Sequence, residues 1–326
     1  MIRKRTFISV GDFIDLKYKI KQKGLPELKS IFRFSGQQRS INKWDNVKPS
    51  SDFWIVPAVR RRWNEKCTGD PDVEYEDYVV KKLFSKAENL RMLSVGCGTG
   101  SRERKFGKYE NFSLIEGIDL APSKIEAARK YAIESDLNHL RYYAGDFRSF
   151  AFEPNSYDLI LFNSSLHHFD RIDHLMRSKV LPLLKQEGYL IIFEYVGPNR
   201  LQWTTRQLDY ANKLLKEIPN KYKTRFNSAT IKKGIYRPGL LRMYLVDPSE
   251  AVDSQMILPV IHKYFKPLEE RKAGWDVLHL LLKDISHNFL SDDNETKSLL
   301  TYIFEQEDSY ISETGRSDGI FGIYKK

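Results

Sequence analysis

From residue 92 onward the apolar positions fall into short, largely apolar runs, at 92–95, 113–118, 140–143, 157–162 and 189–195. Runs of this length with both alternate positions apolar read as strands buried on two faces, the signature of a parallel sheet. Segments of helical period separate most of them: 122–133, with Ile125, Ala128 and Ala132 on one face, and 172–184, ended near Gly188. Strands joined by crossover helices predict an α/β, Rossmann-like sheet with helices on both faces. Two helices are expected ahead of it, at 57–67 and around Tyr75, Tyr78, Val79, Leu83 and Phe84. Behind it lie a largely helical stretch after Tyr195, a strand at 264–271, helices at 275–289 and 295–311, and a closing strand at 319–324. Four regions follow: an N-terminal arm and lid (1–71), a core (72–196), a helical cap (197–262) and a C-terminal completion of the sheet (263–326).

Composition narrows the class. With 326 residues, 41% of them hydrophobic, the chain can build a large core, and its 2 Cys exclude a disulfide scaffold. The apolar runs are far shorter than the roughly 20 residues of a spanning helix. The cytoplasm is the expected compartment, and the oligomeric state stays open. The net charge of +10 is unevenly spread: residues 1–50 hold 12 Lys/Arg against 4 Asp/Glu, and 197–242 hold 11 against 2, so the rest is net acidic. A phosphate-binding stripe across the whole surface is therefore not indicated.

Three glycines at alternate positions, Gly96, Gly98 and Gly100, directly follow the first buried run. Glycine permits a sharp turn and lets a ligand approach the backbone. Position 101 is Ser where a dinucleotide site would carry its third glycine, which disfavours NAD. Asp119 closes the second strand, where a carboxylate can bridge two ribose hydroxyls, and Asp146 with Phe147 closes the third, an acid and an aromatic suited to adenine. Together they predict a nucleoside site at the carboxyl ends of the strands.

The ordered set Val95-Gly96-Cys97-Gly98-Thr99-Gly100, Gly117-Ile118-Asp119-Leu120, Gly145-Asp146-Phe147, Tyr157-Asp158-Leu159-Ile160 and Ser165-Leu166-His167-His168-Phe169 resembles the class I S-adenosylmethionine-dependent methyltransferases. The resemblance implies S-adenosylmethionine as cofactor and S-adenosylhomocysteine as product. It implies a cofactor site of Gly96, Cys97, Gly98, Gly100, Asp119, Leu120, Asp146, Phe147 and Asn163. The family usually has an acid where Ser94 stands, and Arg62 and Trp54, in the segment that often folds over the cofactor, are candidates to supply the missing contact.

For chemistry, His167 and His168 fall after the fourth strand and Glu194 ends the fifth, so a histidine base oriented by a carboxylate is the expected catalytic arrangement. The basic cap offers Arg200, Trp203, Arg206, Tyr236 and Arg237 to an anionic, flat or sugar-like acceptor. The loop Asn163-Ser164-Ser165-Leu166 lacks the Pro-Pro-aromatic sequence of base N-methylating enzymes, and there is no Pro-Cys pair for pyrimidine C5. Only Asp170 and Asp173 lie near that loop, so no metal is expected. The reading is methylation of a small molecule or saccharide, at oxygen in preference to nitrogen. An RNA methyltransferase and a non-catalytic binding module with this fold are the alternatives.

Overall fold

The computed structural model describes residues 6–14 and 51–326. Its centre is a seven-stranded sheet: β1 (Leu90–Val95), β2 (Phe112–Asp119), β3 (Leu140–Ala144), β4 (Tyr157–Asn163), β5 (Leu184–Tyr195), β6 (Lys266–Gly274) and β7 (Gly319–Lys325). The order across the sheet is β3-β2-β1-β4-β5-β7-β6. The first five strands are parallel, and β7 inserts antiparallel to both β5 and β6. The continuous apolar runs are the physical cause: Leu159 and Leu161 face one core layer while Ile160 and Phe162 face the other, and Ile191 and Phe193 alternate in the same way with Leu190 and Ile192.

One face carries α1 (Pro57–Thr68), α2 (Tyr75–Leu83), α3 (Ser101–Phe106), α4 (Pro122–Glu134), α7 (Thr205–Glu217), α10 (Leu278–Leu282) and α11 (Asn294–Thr314). The other carries α5 (Ile172–Leu175), α6 (Leu181–Leu183) and α9 (Ile257–Tyr264). A short helix α8 (Leu240–Val246) lies in the segment between β5 and β6. Local chemistry sets the ends: Pro57 and Pro122 open α1 and α4, Thr204 and Asp293 cap α7 and α11, and Gly69 and Gly315 close α1 and α11 in the left-handed conformation.

Two expected elements differ, and one helix was not expected. The single helix expected over 172–184 is interrupted by a π-helical stretch, Met176–Val180, just before Pro182, which lacks the N–H needed to continue the ladder. The helix expected over 275–289 shortens to α10 and a 3₁₀ turn, Ser286–Phe289, separated by Asp284 at φ 68°. Helix α3 is too short for a periodic apolar stripe to announce it. Among the described residues no helix is long and apolar enough to cross a membrane.

Most of the basic arm lies outside the described residues. The described piece, 6–14, docks on the cap: Leu240 and Leu241 donate their N–H groups to the carbonyls of Thr6 and Phe7, and Gly239 N–H donates to Asp12 Oδ1 at 3.0 Å.

Candidate active site

Strand β1 has β2 on one side and the parallel β4 on the other, so the strand order reverses between β1 and β4 and leaves a crevice at their carboxyl ends. A cavity of about 530 Å³ opens there, lined by Gly96, Gly98, Asp119, Leu120, Asp146 and Phe147 among others. The glycine loop is shaped by close approach. At Gly96, φ is +73° and an added Cβ would sit 2.4 Å from the Ser165 Cβ, so the loop after β4 can pack against it only if position 96 is glycine. Gly98, at φ +56°, has no atom within 4 Å of such a Cβ, so its bare backbone faces open space. Asp119 Oδ2 accepts the Gly98 N–H and Oδ1 the Ala121 N–H, both at 2.9 Å, which ties the loop to the end of β2. Asp146 Oδ1 accepts from Arg148 N–H at 2.9 Å, and the buried Phe147 ring packs edge-on to Phe162 and Phe169.

Five expected cofactor residues do not line this cavity. Gly100 packs against Tyr142. Cys97 turns toward Gly117 of β2, and burial pushes its thiol well above the ordinary range, so it is an inert packing group. Asn163 Oδ1 accepts the Tyr75 hydroxyl at 2.8 Å. Trp54 lines a second cavity. Arg62 lies elsewhere for a clear reason. The buried Glu307 of α11 caps α10, its Oε1 accepting the N–H groups of Asp276, Val277 and Leu278 at 3.2, 3.0 and 2.9 Å. Arg62 neutralises it, with Nη2 3.3 Å from Glu307 Oε2 and Nη1 2.8 Å from Asp308 Oδ2. It is a strut between α1 and α11. Below the glycine loop the buried Glu103 of α3 hydrogen-bonds Ser94, and burial raises its carboxyl to about 7.

The second cavity, about 470 Å³, lies between the sheet and the cap and is lined by Trp54, Tyr195, Trp203, Tyr236, Arg237 and Trp275 with others. His168 and Ser164 line both cavities. His167, also in the second, has Nδ1 2.7 Å from Glu194 Oε2. Glu194 is fully buried, and its Oε1 accepts the N–H groups of Ser165 and Leu166, the latter at 2.5 Å. A carboxylate only accepts, so Nδ1 carries the hydrogen and Nε2 is the basic nitrogen. Nε2 lies 3.8 Å from Glu250 Oε1.

The cap residues separate. Trp203, Tyr236 and Arg237 reach the second cavity, and Arg237 Nε donates to the Trp203 carbonyl at 2.8 Å. Arg200 instead lines the first cavity, its guanidinium donating to the carbonyls of Pro248 and Glu250. Burial pulls the guanidiniums of Arg200 and Arg237 below their ordinary value. Arg206 is on the outer surface, paired with Glu313 at 2.8 Å, both side chains more than half exposed. Asp170 lines the first cavity and is paired there with Arg148, whereas Asp173 is engaged by Lys263 and Tyr264. The second cavity is lined by Asp52 and Asp284 and, beside the two histidines, by Asp247 and Glu250, which were not anticipated. Their one sequence signal is that they interrupt the basic segment just past Arg242.

The chain belongs to the methyltransferase domain family, whose model matches residues 86–268, more than half of its length. It is 26% identical over 162 residues to the sterol 24-C-methyltransferase of Candida albicans, covering 48% of this chain and 42% of that one. It is 26% identical over 136 residues to the uncharacterized methyltransferase YcgJ of Bacillus subtilis, 38% of this chain and 53% of that one. The chain thus spans about half the length of the curated relatives it matches. Among solved structures, phosphoethanolamine N-methyltransferase 2 of Haemonchus contortus superposes with a TM-score of 0.49 at 15% identity, over 88% of this chain and 59% of that one.

Proposed function

We propose that the protein transfers the methyl group of S-adenosylmethionine to a hydroxyl of a small-molecule or saccharide acceptor, with His167 as general base. The observation that carries this reading is the His167–Glu194 pair, with His167 on the wall of the second cavity next to His168, which lines both. The cofactor occupies the 530 Å³ cavity, with Asp119 on the ribose, Asp146 and Phe147 about the adenine, and the glycine loop along the methionine chain. The acceptor occupies the 470 Å³ cavity, its rings against Trp54, Trp203 and Tyr236 and an acidic group toward Arg237.

The acceptor oxygen attacks the methyl carbon in line with the departing sulfur. The C–O bond forms, the C–S bond breaks, and the bond pair stays on sulfur, so the sulfonium becomes the neutral thioether S-adenosylhomocysteine. The hydroxyl proton passes to His167 Nε2 and from there to solvent. Glu194 fixes the tautomer and steadies the imidazolium. Among the relatives, the names sterol 24-C-methyltransferase and malonyl-[acyl-carrier protein] O-methyltransferase share methyl transfer and differ in acceptor. They support the reaction class alone.

The test is incubation with methyl-labelled S-adenosylmethionine and a small-molecule extract, with labelled products identified by mass spectrometry. The expected product is a methyl ether. A folded protein with no measurable S-adenosylmethionine binding would overturn the reading.

A further inference from the structure

The segment 247–250 forms the wall between the two cavities, and its residues divide between them. Asp247 and Glu250 line the acceptor-side cavity, whereas Pro248 and Ser249 line the cofactor side. His168 faces both. An imidazole nitrogen of His168 and one carboxylate oxygen each from Asp247 and Glu250 all lie within 4.8 Å of one another. Asp247 is 3% exposed and the Glu250 side chain 21%, so these donors converge in a place largely screened from water.

We propose that His168, Asp247 and Glu250 bind one divalent cation of the Mg²⁺ or Mn²⁺ class, which holds the acceptor oxygen at the junction with the cofactor. The proposal rests on the reading of the second cavity as the acceptor site. Two carboxylates with one imidazole form a hard, oxygen-dominated donor set, suited to these ions rather than to a thiophilic metal. Three protein donors leave coordination positions for acceptor oxygens and water, as a substrate-orienting site requires. Ser249 supports both kinds of donor from the cofactor side. Its Oγ donates to Asp247 Oδ1 at 2.6 Å, so toward His168 Nδ1, 3.2 Å away, it must act as acceptor. The His168 hydrogen is thereby placed on Nδ1 and a lone pair on Nε2, the kind of outer hydrogen bond that orients a ligating histidine. The location explains a purpose for the cation. It lies on the acceptor side of the wall, next to the His167 ring, whose centroid is 4.2 Å from that of His168. It polarises the hydroxyl without entering the electron balance of the transfer. The sequence shows no sign of the site, because His168 and Ser249 are 81 positions apart.

The test is titration of the chelator-treated full chain with Mn²⁺ alone, following the solution Mn²⁺ signal by electron paramagnetic resonance. Wild type, Glu250→Gln and Asp247→Asn are compared, with S-adenosylmethionine affinity measured in parallel by calorimetry. One Mn²⁺ per chain is expected, weakened about tenfold or more in each variant. Should the buried Asp247→Asn variant misfold by circular dichroism, the partly exposed Glu250→Gln decides alone. Absence of a stoichiometric Mn²⁺ site, or unchanged affinity in the folded variants, overturns the proposal. S-adenosylmethionine binding separates the two readings: if it persists without a Mn²⁺ site, the metal proposal alone falls, and if it is absent, the proposed function falls.

Discussion

His167 Nδ1 lies 2.7 Å from Glu194 Oε2, and the same carboxylate holds the backbone of Ser165 and Leu166 through its other oxygen. One buried acid thus sets both the path of the loop after β4 and the tautomer of the imidazole on it. His167→Ala is expected to lower kcat about 10²- to 10⁴-fold while leaving S-adenosylmethionine affinity within about twofold. Glu194→Gln keeps an oxygen for the N–H groups of Ser165 and Leu166 but turns an amide NH2 toward Nδ1, which selects the wrong tautomer, with the hydrogen on Nε2, and should lower kcat. Near-normal kcat in folded His167→Ala would exclude it as the base.

Asp119 joins the glycine loop to β2 through Gly98 and Ala121, in addition to facing the cofactor cavity. Asp119→Ala removes two hydrogen bonds to a charged acceptor. It should cost about 2 kcal/mol of stability and raise the Kd for S-adenosylmethionine about 100-fold or more. Calorimetry on the folded variant checks the affinity and urea unfolding the stability.

The sheet was legible because its evidence is local. Each of β1 to β4 and the second half of β5 is a short, largely apolar run, and the glycine loop, Asp119, Asp146, His167 and Glu194 lie at strand ends or within a few residues of them. What escaped depends on partners far along the chain. Glu307 caps the start of α10 from 29 residues beyond Leu278, so the expected helix begins later than its apolar pattern suggests. It also draws Arg62, 245 positions away, to α11 instead of the cofactor. Arg206 and Arg237 look alike in sequence, yet one meets a surface glutamate and the other a cavity.

That divergence separates two arginines experimentally. Arg237→Gln should raise the acceptor KM severalfold, with S-adenosylmethionine affinity unchanged. Arg206→Gln, which loses an exposed pair with Glu313 and a distant stack on Tyr310, should alter neither and change stability by about 0 to 1 kcal/mol. Steady-state kinetics with the identified acceptor tests both. Equal effects of the two substitutions would deny Arg237 an acceptor contact.

Arg62→Met removes the guanidinium while keeping much of the side-chain volume, and leaves the Glu307 carboxylate buried without its cation. Breaking a buried pair on one side costs about 3 to 5 kcal/mol. A large fall in the urea midpoint is expected, with S-adenosylmethionine affinity of the folded fraction retained. A stable variant with weakened cofactor binding would return Arg62 to the cofactor site.

Glu103 should make stability depend on pH in a direction opposite to most carboxylates. Its carboxyl is raised to about 7 by burial beneath the glycine loop, and its Oε2 has no hydrogen-bond partner. In the unfolded chain a glutamate titrates near about 4.3. Between those values the folded protein keeps a proton that the unfolded chain releases. The contribution is therefore fully present below about pH 4.3, declines as pH rises through about 7, and is lost above it. Glu103→Gln is isosteric with the protonated form and carries no titration. The variant should match wild type near pH 4 and exceed it at pH 8 by an amount on the order of 3 kcal/mol. Urea unfolding of both proteins at the two pH values measures this. A stability difference independent of pH would mean that Glu103 titrates normally in the folded protein.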